Sequence, residues 1–106
     1  MSPLDALGLP GLPDDLDLMC LCLEGGLGLQ MALKRVARGQ DPLSKKLQNL
    51  IQALSLGASF EQALMGFREG VKPGPLDRFS RVLQQMDRLG GPSVALLRTE
   101  TRYLRA

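Results

Sequence analysis

The chain has 106 residues and a formal net charge of +2; 44% of its residues are hydrophobic and 4% are aromatic. Its length suits one small domain with a single core and is too short for two ordinary domains. The chain has no His and only two Cys, which excludes the usual zinc-binding sets and removes the most common catalytic base.

The composition predicts an all-α fold. Leucine, alanine and methionine must fill the interior, and these residues favour helices. Only five residues are Val or Ile, and no window alternates apolar with polar residues over the length of a strand. No run reaches the roughly 18 uninterrupted apolar residues of a membrane-spanning helix.

A repeated pattern of helix end, glycine and new helix divides the chain. The segment LEGGLGLQMAL contains Gly26, GASFEQAL begins at Gly57, and the weaker copy GGPSVALL begins at Gly90. Gly57 follows Gly26 by 31 residues. The three corners predict an antiparallel bundle of about six helices, built as three helical hairpins, with these glycines as structural turns.

Residues 1–12 mix Pro, Gly and Leu without a period, so we expect an N-terminal arm followed by a helical domain over residues 13–106. The first helix should run from Pro13 to about Glu24. Its first turns carry acids that the helix dipole favours, namely Asp14, Asp15 and Asp17. Because the rest of this helix is almost wholly apolar, we expect it to be buried on most sides.

The second helix is expected from Leu29 to Ala37, with Gly28 at its N-cap. The third should begin at Asp41 and Pro42, where an acid cap precedes a proline in the first turn. This third segment has the clearest helical period in the chain. Its apolar positions are Leu43, Leu47, Leu50, Ile51 and Leu54.

The fourth helix should open with a capping box, because Gln62 follows Ser59 by three residues. A loop over residues 70–75, GVKPGP, then separates the second hairpin from the third.

The fifth helix should start near Pro75 and end at Gly90, and the sixth should start at Pro92 or Ser93. The sixth has no stop signal before Ala106, which predicts that the natural chain continues.

Charge is distributed unevenly along the chain. Residues 1–33 carry five acids and no base, for a formal charge of −5, whereas the remainder is formally +7. Surfaces of unlike charge could meet within the fold or face different partners, but a solvated surface is the commoner explanation.

Neither a catalytic site nor a cofactor site is expected. The glycines at 25, 26 and 28 follow a helix rather than a strand, unlike a phosphate-binding loop. Glu24 and Asp87 are candidates for contact with a cation or partner, because the dipole disfavours acids near a helix C-terminus. The preferred interpretation is a surface acid. Nucleic-acid binding is not favoured, since Asp77 and Asp87 interrupt the arginines of the last third.

The run LPDDLDLMCLCLEGGLGLQMALKRVA resembles the type II secretion F (GspF/PilC-like) family, in particular the inner-membrane platform proteins of the Tad (tight adherence, Flp pilus) systems. The matching positions within this run are Leu12, Pro13, Asp14, Leu16, Asp17, Leu18, Glu24, Gly26, Leu27, Ala32 and Leu33. Further matches lie at the second corner, at Leu56, Gly57, Ala63 and Leu64, and at the third corner, at Asp87, Arg88, Leu89, Gly90 and Leu97. Cys22 and the Glu-x-Gly-Leu corner are closer to the TadC-like than to the TadB-like branch. Asp87 stands where the family usually has Glu.

The resemblance implies a non-enzymatic platform domain at the cytoplasmic face of the bacterial inner membrane. Membrane spans would flank it, with the basic segment from Arg98 to Arg105 just before one span, as the positive-inside rule expects. Its implied partners are a cytoplasmic assembly ATPase, a partner platform protein or further copies of itself, and pilins. The alternative is a free helical adaptor or a nucleic-acid-binding module.

Overall fold

A computed structural model describes residues 11–89 and 94–105. These residues form six α-helices and no strand, which confirms the predicted all-α bundle. The helices are α1 (Leu12–Glu24), α2 (Leu29–Val36), α3 (Pro42–Ser55), α4 (Phe60–Arg68), α5 (Pro75–Leu89) and α6 (Val94–Arg105). The expected arm lies almost wholly outside the described residues, as do the third corner at Gly90 and the start expected for α6 at Pro92 or Ser93.

The starts of α3 and α4 are fixed by side chains that accept backbone hydrogen bonds. Asp41 Oδ1 accepts a bond from the Ser44 amide at 2.8 Å. At α4 the Gln62 amide donates to Ser59 Oγ at 3.1 Å, and the Ser59 amide donates to Gln62 Oε1 at 3.0 Å. This reciprocal pair is the predicted capping box.

The first two corners have the same backbone geometry. Gly26 and Gly57 have φ values of 98° and 101°, which L side chains rarely adopt. After Gly26, the Leu27 amide donates to the Cys22 carbonyl at 3.0 Å, and after Gly57 the Ala58 amide donates to Ala53 at 3.1 Å. Both corners are therefore Schellman motifs, in which the glycine ends the helix and the next residue returns to a carbonyl of the last turn.

Gly57→Ala is expected to destabilise the fold by about 1–2 kcal/mol, because the substituted residue must keep a left-handed conformation. Nothing lies within 4 Å of the added Cβ, so the cost is conformational rather than steric. The matched control is Gly66→Ala, at an exposed helical position of α4. This variant should stabilise the fold by about 0.5–1 kcal/mol. Urea unfolding measures the change in the free energy of unfolding for each variant. Equal changes in the two variants would contradict the left-handed conformation assigned to Gly57.

The six helices form a closed ring. Each helix packs against the next one along the chain, and α6 packs against α1. Cross-contacts show that neighbours run antiparallel: Glu61 in the first turn of α4 pairs with Arg88 in the last turn of α5, and Arg78 in the first turn of α5 pairs with Glu100 late in α6.

The core lies inside this ring and is built mainly from leucine. The fully buried large side chains are Phe79, Leu12, Leu16, Met19, Leu33, Leu43, Leu47, Leu50, Leu64, Leu83, Leu97 and Val36. As expected, α1 is buried on most sides, with Leu16, Met19 and Cys20 in the core, but Leu21 is 65% exposed. Since α1 packs between α2 and α6 in a single ring, its outward face has no neighbouring helix.

Candidate functional site

The antiparallel ring gives the bundle two distinct ends. We call the end with residues 25–28 and 56–59 the corner end, because it carries the two Schellman corners. The opposite end, here the terminal end, holds residues 37–41, residues 69–74 and both limits of the described chain. A Cβ on Gly11 would lie 2.8 Å from Asp41 Oδ2, and this proximity places the start of α1 beside the α2–α3 connection.

The corner end exposes one leucine beside each helix connection. Leu27 is 42% exposed, Leu56 is 80% exposed, and Leu89, the last residue of α5, is 68% exposed. Leu27 and Leu56 flank the glycines that turn the chain. Large exposed apolar side chains are common singly, but their recurrence at one end makes this end a candidate protein-contact surface.

Acids and bases at the corner end are largely paired. Arg98 in α6 forms an ion pair with Glu24, the last residue of α1. Arg88 Nη2 lies 3.2 Å from Glu61 Oε1. Asp87 is exposed. These pairs join α1 to α6 and α4 to α5 without leaving a strong net charge on the corner end.

The structure places both sequence-predicted acids at the corner end but gives them different surroundings. Glu24 is engaged by Arg98, whereas Asp87 faces solvent on the last turn of α5. Within residues 11–89 and 94–105, no group of three or more Cys, Asp or Glu side chains could hold a metal ion. The geometry therefore favours an interhelical ion pair as the role of Glu24.

At the terminal end, the carboxyl group of Asp15 in α1 lies against that of Asp41 in the α2–α3 connection. Burial, followed by a hydrogen bond to Asp41, raises the pKa of Asp15 from 3.8 to about 7. Burial alone would raise the pKa of Asp41, but hydrogen bonds from Asp15 and Ser44 outweigh it and lower that pKa. Asp15 Oδ2 is buried, and no donor within the described residues forms a hydrogen bond to it. A proton on Asp15 supplies the donor that this pair needs.

A buried acid towards the terminal end holds α5 against α6. Glu100 has a side chain only 7% exposed, and Arg78 Nε lies 2.9 Å from Glu100 Oε1. Arg78 Nη2 donates to Glu100 Oε2 at 3.2 Å. The Arg78 guanidinium carbon also lies 3.6 Å from the centroid of the Tyr103 ring. Sequence analysis missed this cluster; the available signal was the spacing of Glu100 and Tyr103, which places them on one face of a helix.

Shallow clefts between neighbouring helices contain lysine and amide groups but few acids. One cleft of about 180 Å³ between α3 and α4 is lined by Lys46, Asn49, Gln62 and Gly66, among others. Lys46 Nζ donates to the Phe67 carbonyl at 3.1 Å, so its charge serves the packing of these two helices. This lining suits helix packing better than acid–base chemistry.

Comparison with known proteins identifies the family. Residues 15–106 match the family described as type II secretion system (T2SS), protein F. Comparisons with curated proteins and with solved structures give no significant match. None of the helices in the described ranges has the length and hydropathy needed to span a membrane. The family match covers most of the six-helix ring, including the first two glycine corners, and the chain belongs to the type II secretion system protein F family.

Proposed function

We propose that this chain is the non-enzymatic cytoplasmic domain of an inner-membrane platform protein for Tad/Flp (type IV-like) pilus assembly or type II-like secretion, which couples an assembly ATPase to pilin insertion. The observation that carries this proposal is the family match over residues 15–106. A platform domain must hold its shape while presenting surfaces to partners, and a closed ring of six short helices with capped ends meets that need.

The two ends of the bundle suggest how such a domain is oriented. Residues 11 and 105, the limits of the described chain, both lie at the terminal end. If flanking segments span the membrane, the terminal end faces the bilayer and the corner end faces the cytosol. The exposed leucines at positions 27, 56 and 89 then form the surface that a cytosolic ATPase reaches first.

A Tad/Flp pilus system of the TadC-like type is the assignment that the sequence favours within this family. It rests on the run from Leu12 to Ala37 and on Cys22 beside the Glu-x-Gly-Leu corner. In that setting the further partners are pilins and either a partner platform protein or additional copies of this chain. Exposed Leu21 and Met65 on the sides of the ring offer apolar area for contacts between platform subunits.

Co-purification from membranes tests the platform role. Full-length protein carrying a C-terminal tag should retain its cognate assembly ATPase when membranes are solubilised in a mild detergent. A full-length chain that fractionates with the cytosol, or that binds nucleic acid in place of the ATPase, would support the alternative of a free adaptor or a nucleic-acid-binding module.

A further inference from the structure

Exposed bases without an acid partner in the described ranges lie at the terminal end, and four of them come from α2, α3 and the connections there. Arg35 is in the last turn of α2, and Arg38 is in the connection that follows it. Lys45 is in the first turns of α3, and Lys72 is in the α4–α5 connection. We call these four residues the basic rim. None of them takes part in an ion pair within the described ranges, in contrast to Arg88 and Arg98 at the corner end.

The topology brings the basic rim together from separate parts of the sequence. The first turns of α3 adjoin the last turn of α4, because Lys46 Nζ donates to the Phe67 carbonyl at 3.1 Å. The α4–α5 connection with Lys72 follows directly. Arg35 and Arg38 reach the same end because α2 finishes where α3 begins, and the Gln48 amide nitrogen donates to the Ala37 carbonyl at 2.7 Å.

Most acids of the terminal end are already engaged. Asp77 lies 3.1 Å from Arg81, and Glu100 is held by Arg78. Asp15 and Asp41 face each other. The other acids of α1, Asp14 and Asp17, interact with neighbouring groups as well. Glu69 is the exposed acid near Lys72, so the accessible charge of this end remains positive.

We infer that the basic rim binds the headgroups of anionic phospholipids, with the terminal end of the bundle set against the membrane surface. This inference rests on the proposed function, because flanking membrane spans would hold that end near the bilayer. Charge complementarity favours lipid as the occupant. The rim lies at the same end of the bundle as residues 11 and 105, and basic groups beside a bilayer are attracted to its anionic cytoplasmic leaflet.

The attraction is electrostatic, so it should depend on both lipid charge and salt. At physiological ionic strength, screening acts over about 8 Å, and only bases held close to the headgroups contribute. The net charge of the whole chain is only +2, so this overall charge by itself would give little binding to anionic vesicles. Placement of the bases at one end should decide the affinity.

Vesicle co-sedimentation of the 106-residue chain tests this inference. We expect binding to phosphatidylglycerol–phosphatidylcholine vesicles, loss of binding in high salt, and no binding to phosphatidylcholine alone. Arg38→Gln combined with Lys72→Gln should weaken binding about 25-fold, because each base near an anionic surface contributes about a fivefold factor. The control with the same change in charge, Arg88→Gln with Arg98→Gln, acts at the corner end and should change binding less than about threefold, because charges well beyond the screening length of about 8 Å from the headgroups contribute little.

Three results would overturn the inference: no binding to anionic vesicles, equal losses in the two double variants, or tighter binding to duplex DNA than to vesicles at the same salt concentration. Failure here is distinguishable from failure of the proposed function. A full-length protein that still retains the ATPase while its domain ignores anionic lipid refutes only the basic rim. A domain that binds lipid through its rim while the full-length protein lacks the ATPase refutes the coupling role.

Discussion

Arg78→Met is expected to lower the melting temperature by about 10 °C, because it leaves the buried carboxylate of Glu100 without its cation. Both guanidinium contacts to Glu100 are lost, and so is the stacking of Arg78 on the Tyr103 ring. Water cannot replace the cation readily, since the Glu100 side chain is almost fully covered. Differential scanning calorimetry at neutral pH measures the shift.

Two companion variants separate the buried charge from lost packing. Arg81→Met removes an exposed partner of Asp77 on the same helix and should cost less than about 2 °C. Adding Glu100→Met to Arg78→Met should recover much of the loss, because no uncompensated charge then remains. If the double variant is no more stable than Arg78→Met, the buried carboxylate is not the cause.

Asp15→Asn is expected to stabilise the chain at pH 8 by about 1–2 kcal/mol after allowance for the partial exposure of Asp15. In the wild type the folded-state pKa of Asp15 is about 7, against 3.8 in the unfolded chain. The folded state therefore binds the proton more tightly, and this contribution to stability is fully present below about pH 4 and lost as the pH rises through about 7.

The pH dependence of stability tests whether Asp15 and Asp41 share a proton. Between pH 5 and pH 8 the wild type should lose stability relative to Asp15→Asn, whose amide donates to Asp41 at every pH in this range. Below about pH 4 both proteins should weaken, because Asp41 has a lowered folded-state pKa and its contribution disappears on protonation. Urea unfolding at pH 5, 6.5 and 8 measures the difference, and parallel curves for the two proteins would contradict a shared proton.

Local chemistry made the helix boundaries predictable. Asp41 before Pro42 and Ser59 before Gln62 satisfy free backbone donors within a few residues, and such contacts can be read directly from spacing. The turns at Gly26 and Gly57 were also predictable, because the residue that adopts a positive φ at a helix end is almost always glycine.

The contacts between distant segments could not be predicted from one sequence. Arg78 and Glu100 are 22 residues apart, and Asp15 meets Asp41 only because the ring brings the start of α1 to the α2–α3 connection. Each of these residues has an ordinary surface role in the sequence pattern alone. The exposure of Leu21 was missed because α1 is apolar on nearly every side, and hydrophobic periodicity then gives no direction to its buried face.

The fold also separates the bases of the segment from Arg98 to Arg105, which the sequence presents as one basic run. Arg98 pairs with Glu24 at the corner end, whereas Arg102 lies one turn further along α6, towards the terminal end. Helical geometry thus divides a run that is continuous in sequence between the two ends of the bundle. The other bases that gather at the terminal end come from α2, α3 and the two connections there.

Binding of the purified chain to its cognate assembly ATPase tests the central claim most directly. Isothermal titration calorimetry should show saturable binding, and the triple variant Leu27→Ser, Leu56→Ser and Leu89→Ser should weaken it by at least about tenfold. Met65→Ser, on the side of α4, is the matched control and should bind like the wild type. Absence of binding by the wild type, or unchanged binding by the triple variant, would contradict an ATPase-coupling platform that docks through its corner end.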